Sequence, residues 1–523
     1  MPKKFNITGT CYPALHYMAD ISAKLKAVMA MVEEGEYFTI NRPRQYGKTT
    51  MLAALEGVLS ARSDYLPIRM NFQGVDSKWY ESDAAFAQMV LRQMADALEY
   101  QDEELFAALE GRVTQASDMA ALSKTITFLV HQSKKKLALL IDEVDASSSH
   151  LPFLSFLGML RTKYLNRLSP QHATFHSIVL AGVHDIKSLK AKIRTDEDAG
   201  KYNSPWNIAA DFKVKMSLQP SEIVPMLEDF SQERKVGLDA ANMADRIYYY
   251  TSGYPFLVSK LCKIMAEDIL PEKEEKVLGD ADLEQAVQRL LRENNTNFDS
   301  LIKNLENNQS LYNLAFEIII NGAELPYNPD EPVAALGRLY GIFRQNGLLS
   351  IHNRVYEQRI YNYMVAKVLN EQLGTQRNPS SVRYAKPDGQ LDLERVLLKF
   401  QQYLKEQYSE RDTNFLEREW RLVFLAFLKP IINGKGYDFK EVQISEEKRL
   451  DVVVTYNQFK YVIELKRWYG PKAHQAGLAQ LSDYLDRQGL DEGYLVVFAP
   501  RKSTEQPQGW IKAEGKRVFV VWI

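Results

Sequence analysis

Cysteine is scarce: Cys11 and Cys262 are the only two in 523 residues. They sit in unrelated segments, so a disulfide framework or a cysteine-based zinc site is not expected, and the usage fits a reducing cytoplasm. Long hydrophobic runs are missing as well. No window approaches the ~20 apolar residues a membrane helix needs, and Lys3 and Lys4 are not followed by the apolar core of a signal peptide. Neither charge dominates, with 65 Lys and Arg against 67 Asp and Glu, so nucleic-acid binding cannot be argued from net charge. Residues 411–523, with 18 Lys and Arg against 15 Asp and Glu, tilt only slightly to the basic side. Repeats and low-complexity tracts are absent too. What is present is a composition of 46% hydrophobic and 25% charged residues, that of a soluble globular protein long enough for three or four domains.

Residues 1–220 alternate strand-like and helix-like segments. Tyr37–Asn41 reads as a strand, followed by a helix through Met51–Leu55, and Leu66–Phe72 as a second strand. A long helical region spans about 82–135. Leu137–Ile141 is an unbroken apolar run, expected of a central parallel strand buried on both faces. Ser177–Gly182 and Phe212–Met216 complete a set of five, which predicts an α/β fold with a parallel sheet wrapped by helices. Residues 221–304 read as a helical lid. Residues 305–372 read as short helices followed by a hairpin of Gly347–Ile351 and Arg354–Tyr356, the outline of a winged helix. Linker composition marks 374–391, within a connecting stretch at 373–410.

Between the first strand and first helix lies Arg42-Pro43-Arg44-Gln45-Tyr46-Gly47-Lys48-Thr49-Thr50. Backbone N–H groups of such a loop, backed by a helix N-terminus, cradle phosphates. Lys48 is placed to reach the β- and γ-phosphates of ATP, and Thr49 to bind Mg²⁺. Arg42 stands where the usual GxxxxGK[ST] pattern has its first glycine. The apolar run ends in Asp142-Glu143, which supplies the matching half: Asp142 to hold the metal through water and Glu143 to polarise the attacking water.

This half resembles the AAA-like ATPases in which Arg-Pro-Arg-x-x-Gly-Lys-[Ser/Thr] replaces the commoner loop, near the STAND and archaeal-type members of the P-loop class. The resemblance covers about 5–300. It implies nucleotide contacts along Arg44 to Thr50, a γ-phosphate sensor at His184 or Asp185, and Pro255 of Gly253-Tyr254-Pro255 close to the nucleotide. It also implies slow, switch-like hydrolysis. Arg42, Arg44, Arg161 and Arg194 are candidates for an arginine finger.

Near the C-terminus, Arg449-Leu450-Asp451-Val452-Val453-Val454 and Tyr461-Val462-Ile463-Glu464-Leu465-Lys466 read as two strands joined by a turn. Their pairing brings Asp451, Glu464 and Lys466 to one sheet edge. Two adjacent carboxylates repel unless a cation neutralises them, which invites Mg²⁺, and the lysine then orients water or stabilises phosphate charge. This pattern resembles the core of the PD-(D/E)XK nuclease superfamily over 411–523, in the order helix, three strands, helix, strand. The resemblance implies a further glutamate, Glu419, on the preceding helix, and a residue beside the lysine from Gln475, Gln480 or Tyr484. Arg449, Lys460, Arg467, Trp468, Lys472 and His474 cluster near it in sequence, where they could grip a phosphate backbone.

Together these features predict a cytoplasmic ATPase whose nucleotide state gates a restriction-endonuclease-like α/β domain. The partner expected is nucleic acid, DNA ahead of RNA, with no membrane and no assignable oligomeric state. By analogy the architecture suits prokaryotic genome defence. The alternative is a nucleotide-dependent switch whose C-terminal domain binds nucleic acid or protein without cutting.

Overall fold

Lys136–Asp142 has no polar face between its ends, so it is stable only between two layers. The computed structural model, which describes residues 2–183, 206–320, 323–328, 330–372, 384–407, 413–432, 436–439, 452–457, 459–499 and 508–523, places it there. Four parallel strands, β1 (Tyr37–Asn41), β2 (Tyr65–Asn71), β3 (Lys136–Asp142) and β4 (Ser177–Gly182), form a sheet in the order β1-β4-β3-β2. Leu139, Leu140 and Ile141 have no exposed surface, and each such side chain contributes about 1.5–3 kcal/mol. The helical region after β2 divides into Asp83–Leu98, Glu103–Val113 and Met119–Gln132. Each is opened by a side chain that accepts a backbone N–H: Ser82 from Ala85, Asp102 from Leu105, and Asp118 from Ala121.

The expected fifth strand, Phe212–Met216, is not formed. This segment of the chain meets β1 at a single bridge, Phe38 to Ala210. Farther along, the Arg42 guanidinium donates to the Val214 carbonyl at 2.8 Å. A side chain thereby takes an acceptor that a ladder would use, while Lys213 and Lys215 face solvent. Phe212 still stacks on Phe38, with ring centroids 5.9 Å apart.

Beyond the sheet the chain is helical, through Pro220–Arg234, Ala240–Thr251, Pro255–Ile264 and Asp280–Arg292, with a two-stranded parallel pair β5 (Gly237–Leu238) and β6 (Val277–Leu278). Three short strands follow, β7 (Leu325–Pro326), β8 (Phe343–Asn346) and β9 (Leu348–Ile351), in the order β7-β9-β8. The hairpin lies one strand earlier than its sequence indicated. Arg354–Tyr356 is not its second arm but the first turn of the helix Arg354–Gln372, because the Asn353 side chain accepts the Tyr356 N–H at 2.9 Å and turns the chain into a helix.

The last sheet comprises β10 (Gly436–Phe439), β11 (Val452–Tyr456), β12 (Phe459–Arg467), β13 (Glu492–Phe498), β14 (Gly509–Ala513) and β15 (Lys516–Trp522), in the order β10-β11-β12-β13-β15-β14. β10, β11 and β12 are antiparallel, whereas β12, β13 and β15 run parallel. Helix Thr413–Ile432 precedes it and Pro471–Arg487 connects β12 to β13. β10 had no signal recognised in the sequence.

The chain forms two compact units, Met1–Leu301 with Pro329–Arg344, and Ile302–Asn328 with Gln345–Ile523. The segment 329–344 thus belongs with the N-terminal part of the chain. Among the described residues no helix is long and apolar enough to cross a membrane.

Candidate functional site

The loop after β1 ends at Gly47, which has φ +81° and serves as the N-cap of the helix Lys48–Ser60. The left-handed backbone here favours glycine and turns the chain so that the first helical N–H groups lie at the loop. Lys48 is buried, and its Nζ donates to the carbonyls of Arg42 and Pro43, both at 2.9 Å. Burial lowers its pKa, while Glu143, Asp145 and Asp142 pull in the opposite direction. Arg44 and Gln45 are exposed, Tyr46 is buried and Thr49 is half-buried. The Thr50 hydroxyl accepts the Cys11 N–H at 3.2 Å, tying the N-terminal segment to the same turn.

The Arg42 guanidinium donates to the Asn41 carbonyl at 2.7 Å and the Val214 carbonyl at 2.8 Å, over the Phe212 ring at 5.2 Å. Of the other finger candidates, Arg161 lies in the helix Leu151–Leu165, and Arg194 lies outside the described residues.

At the end of β3, Asp142 is fully buried. One carboxylate oxygen accepts the Glu143 N–H at 3.0 Å, and the other has no hydrogen-bond partner. A buried, orphaned carboxylate oxygen beside a phosphate-type loop fits a hydrated cation. Glu143 adopts φ +53°, a strained conformation for a non-glycine residue. Its pKa is raised, first by burial. Asp145, which was not singled out from sequence, accepts the Val183 N–H and so ties this loop to the end of β4. The next residues, His184 and Asp185, lie outside the described residues.

A second group of contacts comes from Tyr254 and Pro255, of the step the family resemblance places near the nucleotide, and from Asn297 and Gly341, which had no signal in the sequence. The Tyr254 hydroxyl donates to the Arg44 carbonyl at 2.5 Å, and its ring meets Tyr46 edge-on at 4.7 Å. Asn297 Nδ2 donates to Gln45 Oε1 at 2.9 Å. Gly341, with φ +72°, presses on Pro43 so closely that a Cβ would stand 2.7 Å from the Pro43 Cγ. Pro255 lies near enough that a Cβ on Gly47 would be 4.0 Å from its Cγ. The loop is therefore gripped from outside by residues about 210 to 300 positions away in sequence.

A family model described as an AAA-like domain matches residues 13–344. The chain belongs to the AAA-like family. Solved structures resemble this AAA-like chain only loosely. The Aeropyrum pernix ORC1 protein in complex with DNA is 12% identical, covering 67% of this chain and 95% of its own, with a TM-score of 0.29. The A. pernix ORC2 protein in ADPNP–ADP complexes is 11% identical, covering 66% and 93%, with a TM-score of 0.36. The Thermotoga maritima RuvB Holliday junction branch migration motor is 13% identical, covering 68% and 98%, with a TM-score of 0.33. Likeness at these scores carries no argument about activity. No curated protein matches.

Outside the match to the AAA-like domain, a second cluster sits on β12. Glu464 has no exposed surface, and Lys466 Nζ lies 2.7 Å from its Oε1. Lys466 also donates to Gln480 Oε1 at 3.3 Å, and Gly477 packs against its stem. Gln480 is thus the helix residue brought to the lysine, whereas Tyr484 is buried in the core and Gln475 is exposed. Arg421, from helix Thr413–Ile432, donates to the Leu465 carbonyl at 2.9 Å. Asp451 and Arg449 lie outside the described residues, as does the Glu419 side chain. Lys460 does not join this cluster: it is the second residue of β12, seven residues before its end, and donates to Gln488 at 3.0 Å. Among the described residues no group of three or more His, Cys, Asp or Glu is arranged to hold a metal ion.

Proposed function

We propose that this AAA-like protein binds and slowly hydrolyses ATP, and that its nucleotide state gates metal-dependent cleavage of nucleic acid by the C-terminal unit. The nucleotide half is supported by Lys48 at a helix N-terminus with the acid pair Asp142-Glu143. In this reading Lys48 exchanges its two carbonyl partners for phosphate oxygens, and the helix N–H groups hold the remainder. Thr49 and Asp142 would hold Mg²⁺, which when bound neutralises phosphate charge. Glu143 acts as the base toward water; its raised pKa makes it a stronger one.

The nuclease half rests on one observation: a carboxylate fully buried on β12, joined to a lysine two residues on and to a glutamine of the next helix. Helix, three strands, helix and strand surround it in the order of the PD-(D/E)XK superfamily. Glu464, with Asp451, would hold the divalent ion, which supplies Lewis-acid activation when bound. Lys466 is positioned to hold the attacking water or stabilise phosphate charge. Incubation of supercoiled plasmid and of single-stranded circular DNA with the protein and Mg²⁺ or Mn²⁺, with and without ATP, tests this directly. Nicking that disappears in Glu464→Gln supports it, and plasmid and single-stranded circular DNA both left intact under all conditions remove it.

A non-cutting switch is the second reading, and the Glu464–Lys466 pair at 2.7 Å favours it, because the buried acid is already neutralised by the chain's own ammonium.

A further inference from the structure

We propose that the aromatic side chains just beyond Lys466 form a stacking platform for unpaired bases, so that the C-terminal unit takes single-stranded nucleic acid. This rests on the nucleic-acid reading above and narrows its substrate class. The parallel strands β12, β13 and β15 end together: Lys466 is level with Val497, and Val497 with Trp522. Along this edge Trp468 and Trp522 meet at 5.1 Å, His474 and Trp522 at 5.3 Å, and Trp468 and His474 at 5.7 Å. All three are half-buried, and Trp468 and Trp522 pack against the core of this unit. The Trp468 backbone N–H is fixed to the Phe498 carbonyl at 2.8 Å. Tyr469 follows with 75% of its surface exposed, and the Arg467 guanidinium lies 5.7 Å from its ring.

This is an aromatic ledge with a basic rim of Arg467 and Lys472. Phosphates meet the cations and bases meet the rings, the arrangement that recognises single strands without reading their sequence. A ring face is open only to a base that has left its stack; an intact duplex offers phosphates and base edges instead. Rings locked against one another lose little further freedom when a base lands on them.

The test is binding of short labelled oligothymidine and of a hairpin duplex of equal charge to the full chain, followed by fluorescence anisotropy without divalent metal. Single strand is expected to bind more tightly than duplex. Tyr469→Ala, at an exposed position that leaves the core intact, is expected to weaken the single-strand complex roughly ten-fold, as loss of one stacked base does. Tyr469→Phe should retain it, and duplex binding should be unchanged in both. Equal losses on duplex and single strand, or no loss in Tyr469→Ala, would overturn the ledge while leaving nucleic-acid binding standing. Absence of binding to either probe would overturn the nucleic-acid reading itself, and the ledge with it.

Discussion

Lys163 carries an ammonium buried between the helices Met119–Gln132 and Leu151–Leu165, where Nζ donates to the Ser123 carbonyl at 3.1 Å and the Thr127 hydroxyl at 2.5 Å. Burial lowers its pKa to about 8. In the unfolded chain a lysine keeps its proton to about 10.4. Between those values the unfolded state binds more protons, so this residue makes stability rise with pH across that window and penalises the fold below it. Lys163→Met is therefore expected to be more stable than wild type at pH 7, by on the order of 2 kcal/mol, with the difference closing towards pH 10. Thermal unfolding of the two proteins at both pH values checks this. Glu143 has its pKa shifted the other way, raised by burial, so ATP hydrolysis should fail on acidification at a pH above the usual carboxylate range. Glu143→Gln should bind ATP but lose turnover by roughly 10²–10⁴-fold, measured as phosphate release beside nucleotide-binding titration.

Among the elements, the phosphate loop depends on more than its own sequence. Tyr254, Asn297 and Gly341 hold its outer side. Gly341→Val must displace Pro43 and also strains a left-handed backbone, a combined penalty of about 1–3 kcal/mol. ATP affinity should fall roughly ten-fold or more, whereas Tyr254→Phe, which removes one hydrogen bond and keeps the ring, should cost less. Nucleotide titration of both variants ranks the contacts. The contacts of Asn297 and Gly341 could not be read from the chain, because they join residues far apart whose local patterns are ordinary, whereas Tyr254 lies in the Gly253-Tyr254-Pro255 step expected near the nucleotide by resemblance. The loop and acid pair could be read, since Gly47-Lys48-Thr49 and the run into Asp142-Glu143 are local and their chemistry fixes their residue types. The strand at Phe212–Met216 had the right alternation, but Arg42 claims the Val214 carbonyl. The hairpin was displaced because Asn353 caps a helix, and short apolar runs do not distinguish a strand from a first helical turn.

For the whole molecule, the chain path offers a route between the two sites. Residues 329–344, including Gly341 against Pro43, belong to the first unit, while the stretches on both sides belong to the second. The segment in contact with Pro43 is thus covalently joined at both ends to the unit carrying Glu464 and Lys466. For nucleotide state to set the activity of that unit, as proposed, ATP must bind two states of the protein with different affinity. The decisive measurement is the rate of nicking of plasmid and of single-stranded circular DNA with Mn²⁺ in wild type, Lys48→Ala and Glu143→Gln, each with and without ATP. The expected result is a rate that responds to ATP in wild type, does not respond in Lys48→Ala, and stays at its ATP-bound level in Glu143→Gln for as long as nucleotide is present. Nicking at one common rate in all three proteins, with or without ATP, would contradict it.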